Sequence, residues 1–205
     1  MVGKRLSTPL LANWTFRQVG SDNEPLPVAQ MPTNIHLDLM HHGIIPDPFI
    51  GTNEIDVQWV GEENWVYYTT FNSPKLADKE KAVLIFEGLD TFATVVLNGG
   101  QILKTDNMFI PERVDITHIL RPECNENELE IIFESAFLTG KRIREQHQNH
   151  KWGCWNGDSS RVGVRKAQYH FVSSFLSDTD VALTVRGVGL GSNTCYLWSM
   201  ETSYP

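Results

Sequence analysis

Few side chains in this sequence have the spacing that chemistry demands. His36, His41 and His42 lie close together, but the pattern H-x4-H-H has no cysteine or carboxylate at ligand spacing. Solvated or capping histidines are the ordinary reading, and no metal is expected. Cys154 stands in W-G-C-W, neither in C-x2-C nor beside a suitable histidine, and reads as a buried free thiol rather than a nucleophile. Gly187-Val-Gly-Leu-Gly has the composition of a phosphate loop, but no strand–helix unit surrounds it. Carboxylates are plentiful: Asp38, Asp47, Glu54, Asp56, Asp90 and Asp158. Splitting a glycosidic bond takes two of them across a sugar ring, one with a raised pKa. The spacing pairs no two, and each reads equally as a solvated loop acid. Trp59, Trp65, Trp152 and Trp155 sit among Asp, Asn and Glu in loop-like segments, where flat rings suit the C–H faces of sugars. Trp59 and Trp65 read as core; Trp152 and Trp155, in the Gly- and Asn-rich stretch 149–160, read as surface rings.

The elements that must position these groups are strands. Trp65–Asn72 is rich in aromatic and β-branched residues, and Ala82–Glu87 is a nearly continuous apolar run, as in a strand covered on both faces. Thr91–Leu97, Gln101–Lys104, Arg113–Ile116 and Glu128–Glu134 follow, with an earlier strand at Trp14–Val19. Asn98–Gly99 is a two-residue hairpin signal, since both residues tolerate positive φ. Helix is scarce: one short turn at Ile35–His41 and a surface helix at Gly140–His150. The spacing predicts an all-β sandwich of the jelly-roll kind with a short helix near 140–150.

The chain has 205 residues, 41% hydrophobic and 20% charged, enough for one domain with a core, or one domain plus a tail. Its 17 basic and 25 acidic residues leave a net charge of -8, which argues against nucleic acid as a partner. No apolar run approaches a membrane span, and Met1–Gln18 lacks a signal-peptide core. Three cysteines, Cys124, Cys154 and Cys195, cannot all pair. Together these predict a reducing, cytoplasmic setting with no membrane partner.

Several strings are specific in combination. They are D-P-F-I-G-T-N-E at Asp47–Glu54, W-V-G-E-E-N-W-V-Y at Trp59–Tyr67, F-E-G-L-D-T-F-A at Phe86–Ala93 and V-L-N-G at Val96–Gly99. N-M-F at Asn107–Phe109 and V-R-K-A-Q-Y-H-F at Val164–Phe171 join them. They resemble the N-terminal sugar-binding-like domain of β-mannosidases in glycoside hydrolase family 2. The resemblance covers residues 10–171 and implies a galactose-binding-like jelly roll ahead of an immunoglobulin-like sandwich and a (β/α)8 barrel. It implies a retaining mechanism whose two glutamates both lie on the barrel, so that no residue here is catalytic and no cofactor is needed. The resemblance also implies a sugar-contacting loop, G-W-D-W-G-P, directly after Y-H-F. Arg165 and Gln168 lie just before that point and are the candidate substrate-binding residues. Sheet-edge and domain-interface contacts are their alternative reading.

After Phe171 the chain departs from that pattern and reads V-S-S-F-L-S-D. Synonymous codons exist for Gly187–Pro205 whose reading from the second nucleotide of the Gly187 codon yields G-W-D-W-G-P-T-L-V-T-C-G-P-W-R-P-V-I. Val172–Ser173 is encodable as GTAAGT, a splice-donor sequence. The stretch between is not a multiple of three nucleotides. Residues 172–205 are therefore expected to be a non-native tail, translated intron followed by a frame-shifted exon. Structural order is expected to fade soon after Phe171, leaving a sheet edge open, with which the strand-like Val181–Val185 pairs at most opportunistically.

The first functional reading is thus an N-terminal fragment of a β-mannosidase, itself inactive. Its full-length parent would act on terminal β-linked mannose, and the domain would contact the sandwich and barrel of the same polypeptide. The alternative reading is a stand-alone carbohydrate-binding jelly roll without enzymatic activity.

Overall fold

The computed structural model describes residues 5–76, 80–149 and 183–190. Among these residues ten strands build two antiparallel sheets: β1 (Arg5–Pro9), β2 (Thr15–Gln18), β3 (Leu26–Pro27), β4 (Trp65–Asn72), β5 (Ala82–Leu89), β6 (Ala93–Leu97), β7 (Gly100–Thr105), β8 (Glu112–Asp115), β9 (Glu126–Phe133) and β10 (Leu183–Leu190). One sheet has the order β1-β10-β5-β8 and the other β3-β2-β4-β9-β6-β7. Three helices, α1 (Ile35–His41), α2 (Asn53–Asp56) and α3 (Ala136–Gln146), and a 3-10 turn at Gln58–Glu62 complete the described elements.

Period-two alternation explains the larger sheet. In β4, Trp65, Tyr67, Thr69 and Phe71 point inward, while in β9 Asn127, Leu129, Ile131 and Phe133 do so. Register joins them directly, Trp65 opposite Phe133 and Tyr67 opposite Ile131. From the other sheet Leu84, Phe86 and Leu89 enter the same core. In β5 Ile85, facing the opposite way, is also buried, so this strand is covered on both faces as its apolar run predicts. Asn98 (φ 51°) and Gly99 (φ 81°) turn β6 into β7, because only residues tolerant of positive φ make so tight a hairpin.

The helix near the C-terminal end of the sandwich starts earlier than the sequence predicts, at Ala136 rather than Gly140. Ser135 is the reason: its Oγ accepts from Leu138 N at 3.1 Å and caps the first turn. At α1 the boundaries agree with the sequence, and Asn34 Oδ1 caps it by accepting from Leu37 N at 3.0 Å.

Two acids expected in solvated loops are instead buried, Asp38 and Asp90. Asp38 lies on the face of α1 turned to the core and accepts from Tyr67 Oη at 2.7 Å. Burial pushes its carboxyl above the ordinary value, opposed by hydrogen bonds from Tyr67 and Thr33 and by His42 and His41. A raised folded pKa means that stability is fully present below the unfolded value and is lost as pH rises through the folded one. Tyr67→Phe removes a bond that favours the ionised form, so it raises that pKa further. The variant is expected to lose about 1–3 kcal/mol at neutral pH. The loss should shrink at about pH 3, where the carboxyl is protonated. Urea unfolding at the two pH values checks this; equal losses would contradict it.

Candidate functional site

Register places four strand ends together. Trp65, which starts β4, faces Phe133 at the end of β9; Ala93, which starts β6, faces Phe133 and also Thr105 at the end of β7. Onto this end of the sandwich open the 3-10 turn at 58–62 that leads into β4, the turn 90–92, the loop 106–111 and the start of α3; the segment 47–56 runs into that 3-10 turn. Each is held by its own bonds. Phe49 N donates to Asp47 Oδ1 at 2.9 Å, and Asn53 Nδ2 donates to Asp47 O at 2.9 Å. Phe109 N donates to Asn107 Oδ1 at 2.9 Å. The main-chain carbonyl of Met108 lies 3.0 Å from where a Cβ on Gly88 would stand, so a side chain there would push the 106–111 loop off β5 by a few tenths of an ångström. Asn64 Oδ1 accepts from Ser135 N at 2.7 Å and Ser135 Oγ donates to Gly61 O at 2.6 Å, which ties α3 to the 3-10 turn.

These well-braced loops hold large apolar side chains in solvent. Phe49 is 70% exposed, Ile50 63%, Ile55 64% and Phe109 66%, with Trp59, Ile110 and Leu138 beside them in sequence or on the same end. A lone exposed apolar residue is ordinary; consecutive exposed pairs such as Phe49–Ile50 and Phe109–Ile110 are not. The turn beneath is polar and closed. Thr91 Oγ1 donates to Asp90 Oδ1, Thr105 Oγ1 donates to Thr91 O at 3.0 Å, and Ala93 N donates to Thr105 Oγ1 at 3.3 Å. At the edge of this end, burial pulls the Glu134 carboxyl upward. Arg142 at 3.0 Å, Thr139 at 3.2 Å and Lys104 at 3.4 Å outweigh that and hold it below its ordinary value.

A second concavity lies on the outer face of the six-stranded sheet. It encloses about 240 Å³ between β2, β4 and β9, with the Tyr68 ring flanked by Thr15, Arg17, Val66 and Glu130. Burial and the charges of Glu128, Glu126 and Glu130 raise the Tyr68 phenol above its ordinary value, so it stays a neutral donor.

The structure separates the residues singled out by spacing. Trp65 is core and donates from Nε1 to Val60 O at 3.0 Å, whereas Trp59, expected in the core, is 39% exposed on the 3-10 turn. That turn rotates Trp59 outward while Val60 and Gly61 are buried, an outcome invisible to period-two reading. His36, expected to be solvated, is buried on α1; His42 caps that helix, and its Nε2 lies 2.7 Å from Pro27 O. Among the described residues no group of three His, Cys, Asp or Glu side chains is placed to hold a metal. The described glycines of Gly187-Val-Gly-Leu-Gly lie in β10, an extended strand and not a phosphate loop. Arg165, Gln168, Trp152, Trp155, Cys154 and Asp158 lie outside the described residues. The exposed residues Phe49, Ile50, Ile55 and Phe109 carried one signal in the sequence: they are large and apolar inside Gly-, Asn- and Pro-containing loops with no periodic partner.

Two antiparallel sheets around one core, with several connecting segments at one end, define a galactose-binding-like jelly roll. The chain belongs to the family described as Glycosyl hydrolase 2 galactose-binding domain-like, which matches residues 14–174. It is 60% identical over 168 residues to β-mannosidase B of Thermothelomyces thermophilus, covering 82% of this chain and 19% of that protein. It is 45% identical over 165 residues to β-mannosidase B of Aspergillus fumigatus, covering 80% and 19%. The crystal structure of a β-D-mannosidase from Dictyoglomus thermophilum matches with a TM-score of 0.67 at 33% identity, over 93% of this chain and 23% of that one. The chain thus spans about 19% of the length of these curated relatives and corresponds to their N-terminal domain.

Proposed function

We propose that this chain is the N-terminal jelly roll of a retaining β-mannosidase that releases terminal β-linked mannose, and that alone it is inactive. The observation that carries the reading is the 60% identity to a β-mannosidase B across 82% of the chain. The test is a chimera in which residues 10–171 replace the matching part of the Thermothelomyces enzyme. The chimera is expected to hydrolyse an aryl β-mannoside; a folded chimera without turnover would contradict the reading. Arg165 and Gln168 are the proposed sugar-facing residues of the assembled enzyme, and the odd cysteine count, which leaves at least one thiol unpaired, supports a cytoplasmic setting.

The apolar loop end is the proposed contact with the rest of the polypeptide, its immunoglobulin-like sandwich and barrel. Exposed side chains supply the prediction. Phe49→Asp with Ile55→Asp is expected to leave the isolated chain within about 0.5 kcal/mol of its original stability. In the chimera the same pair should weaken domain association by about 2 kcal/mol or more. Thermal unfolding of both proteins checks it, and equal shifts in the two would remove the docking role.

Residues 172–205 are proposed to be translated intron plus frame-shifted exon. The family match stops at residue 174, which supports the reading. Transcript reads should join the Phe171 codon to codons for Gly-Trp-Asp-Trp-Gly-Pro; reads that only ever continue into Val172 would contradict it.

One observation favours the stand-alone binding module instead, the groove beside Tyr68, whose ring and polar rim suit a sugar face. A mannose titration followed by NMR separates the two readings. The enzyme-domain reading expects no saturable shifts, and the module reading expects them around Tyr68 and their loss in Tyr68→Ala.

A further inference from the structure

The tail expected to lose order after Phe171 instead contributes a central strand. β10 lies between β1 and β5 and is antiparallel to both. It pairs with β5 at seven positions, from Leu183 opposite Leu89 to Gly189 opposite Ala82, with a bulge between Thr184 and Val185. It pairs with β1 at five, from Arg5 opposite Leu190 to Pro9 opposite Arg186. Among the described residues β1 has no other neighbour in its sheet, so β10 is the only bridge between β1 and the sandwich. The opposite edge of β5 is held by β8 at four positions, Val83 to Phe86.

β10 lies beyond residues 14–174, the part of the chain that the family match covers. The position between β1 and β5 is therefore served from outside the matched domain. What holds a strand there is the main chain. Backbone N–H and C=O groups along β5 need partners wherever the core excludes water, and an extended segment of almost any sequence supplies them. The occupant carries two glycines, Gly187 and Gly189, which weaken strand preference. Thr184, Val185 and Val188 favour a strand, and pairing on both sides holds the two glycines extended with them.

We propose that the gap between β1 and β5 is a strand-acceptor site that binds an extended segment, antiparallel to both neighbours, and that residues 183–190 are its exchangeable occupant. The site takes such segments by β-augmentation and selects for backbone conformation more than for side chains. A chain with the site vacant would expose both the β5 edge and β1, which is the aggregation-prone state.

The test uses the full 205-residue chain carrying Val185→Pro and Val188→Pro. Positions three apart in a strand direct their N–H groups to opposite edges, so the pair removes one donor toward each neighbour. Hydrogen exchange is read at β5 and β1, with β4 and β9 reporting whether the larger sheet stays folded. Exchange at β5 and β1 should speed up roughly tenfold or more in the variant, while β4 and β9 stay protected. A synthetic peptide of residues 181–191, added in trans, should restore protection, and the same peptide with both prolines should not. Unchanged exchange at β5 and β1 overturns the proposal, as does lost protection that the peptide fails to restore. If β4 and β9 also open, the unsubstituted chain is incubated with isotope-labelled peptide instead. Uptake of the native peptide but not of the proline peptide supports exchange, and no uptake overturns it. No turnover is measured in any arm, so failure here leaves the enzyme-domain reading standing.

Discussion

An aryl β-mannoside incubated with the purified 205-residue chain is expected to hydrolyse at the rate of buffer alone. Retaining glycosidases place two carboxyl groups about 5–5.5 Å apart across the sugar, one as nucleophile and one as acid/base. Under the proposed enzyme-domain reading both belong to another domain of the full enzyme, a barrel, and not to this chain. The one described acid with a raised pKa, the property wanted of a general acid, is Asp38. It is 2% exposed and bonded to Tyr67, so no glycosidic oxygen reaches it. The other buried acid, Asp90, bonds Thr91 inside its turn. Losing both catalytic carboxylates removes an acceleration on the order of a millionfold or more. Turnover that co-purifies with the chain and vanishes in Asp38→Asn or Asp90→Asn would overturn this; the chimera with a complete barrel should recover it.

Asn127→Ala is expected to be the most destabilising single substitution at the other end of the sandwich. Asn127 has no exposed surface, and its amide serves five partners. Oδ1 accepts from Asn98 Nδ2 at 2.9 Å and from Arg121 N at 2.9 Å. Nδ2 donates to Ser73 Oγ at 2.8 Å, Phe71 O at 3.2 Å and Asn125 O at 3.3 Å. One side chain thus couples the β6–β7 hairpin, the end of β4 and the segment that follows β8. Alanine strips these buried groups of a partner, and each such loss costs about 1–3 kcal/mol, so a total near 3 kcal/mol or more is expected. Asn127→Asp keeps the acceptor and loses the donors, and should fall by a similar amount at neutral pH because it also buries a charge. Urea unfolding with the slope unchanged would show the loss cleanly, and a change under about 1 kcal/mol would refute the role assigned to the amide.

Local chemistry made much of the fold legible from the residues. The alternation of Trp65–Asn72, the Asn98–Gly99 turn and the unbroken apolar run of Ala82–Glu87 each state their own conformation, because strand faces and hairpin turns are set by neighbours in the chain. β3, with two residues, and the 3-10 turn at Gln58–Glu62 carry no such period, so nothing local in the chain marks them. The loop end was legible only as oddly placed apolar residues, since nothing in Asp47–Glu54 says that Phe49 faces water while Pro48 is buried.

By itself the sequence determined the longer strands of the larger sheet, the α1 turn and the family strings, because these rest on short-range sterics and residue identity. Tertiary structure alone decided three things. Asp38 became a buried acid because α1 lies over Tyr67, a partner twenty-nine positions away. Four strand ends met because the β4–β9–β6–β7 register aligned them, and that set the 3-10 turn leading into β4 and the loop leaving β7, with its exposed Phe109, at one end of the sandwich. Leu183–Leu190 took the place between β1 and β5 because main-chain hydrogen bonding across a sheet is a contact between distant segments, and any segment able to lie extended there satisfies it.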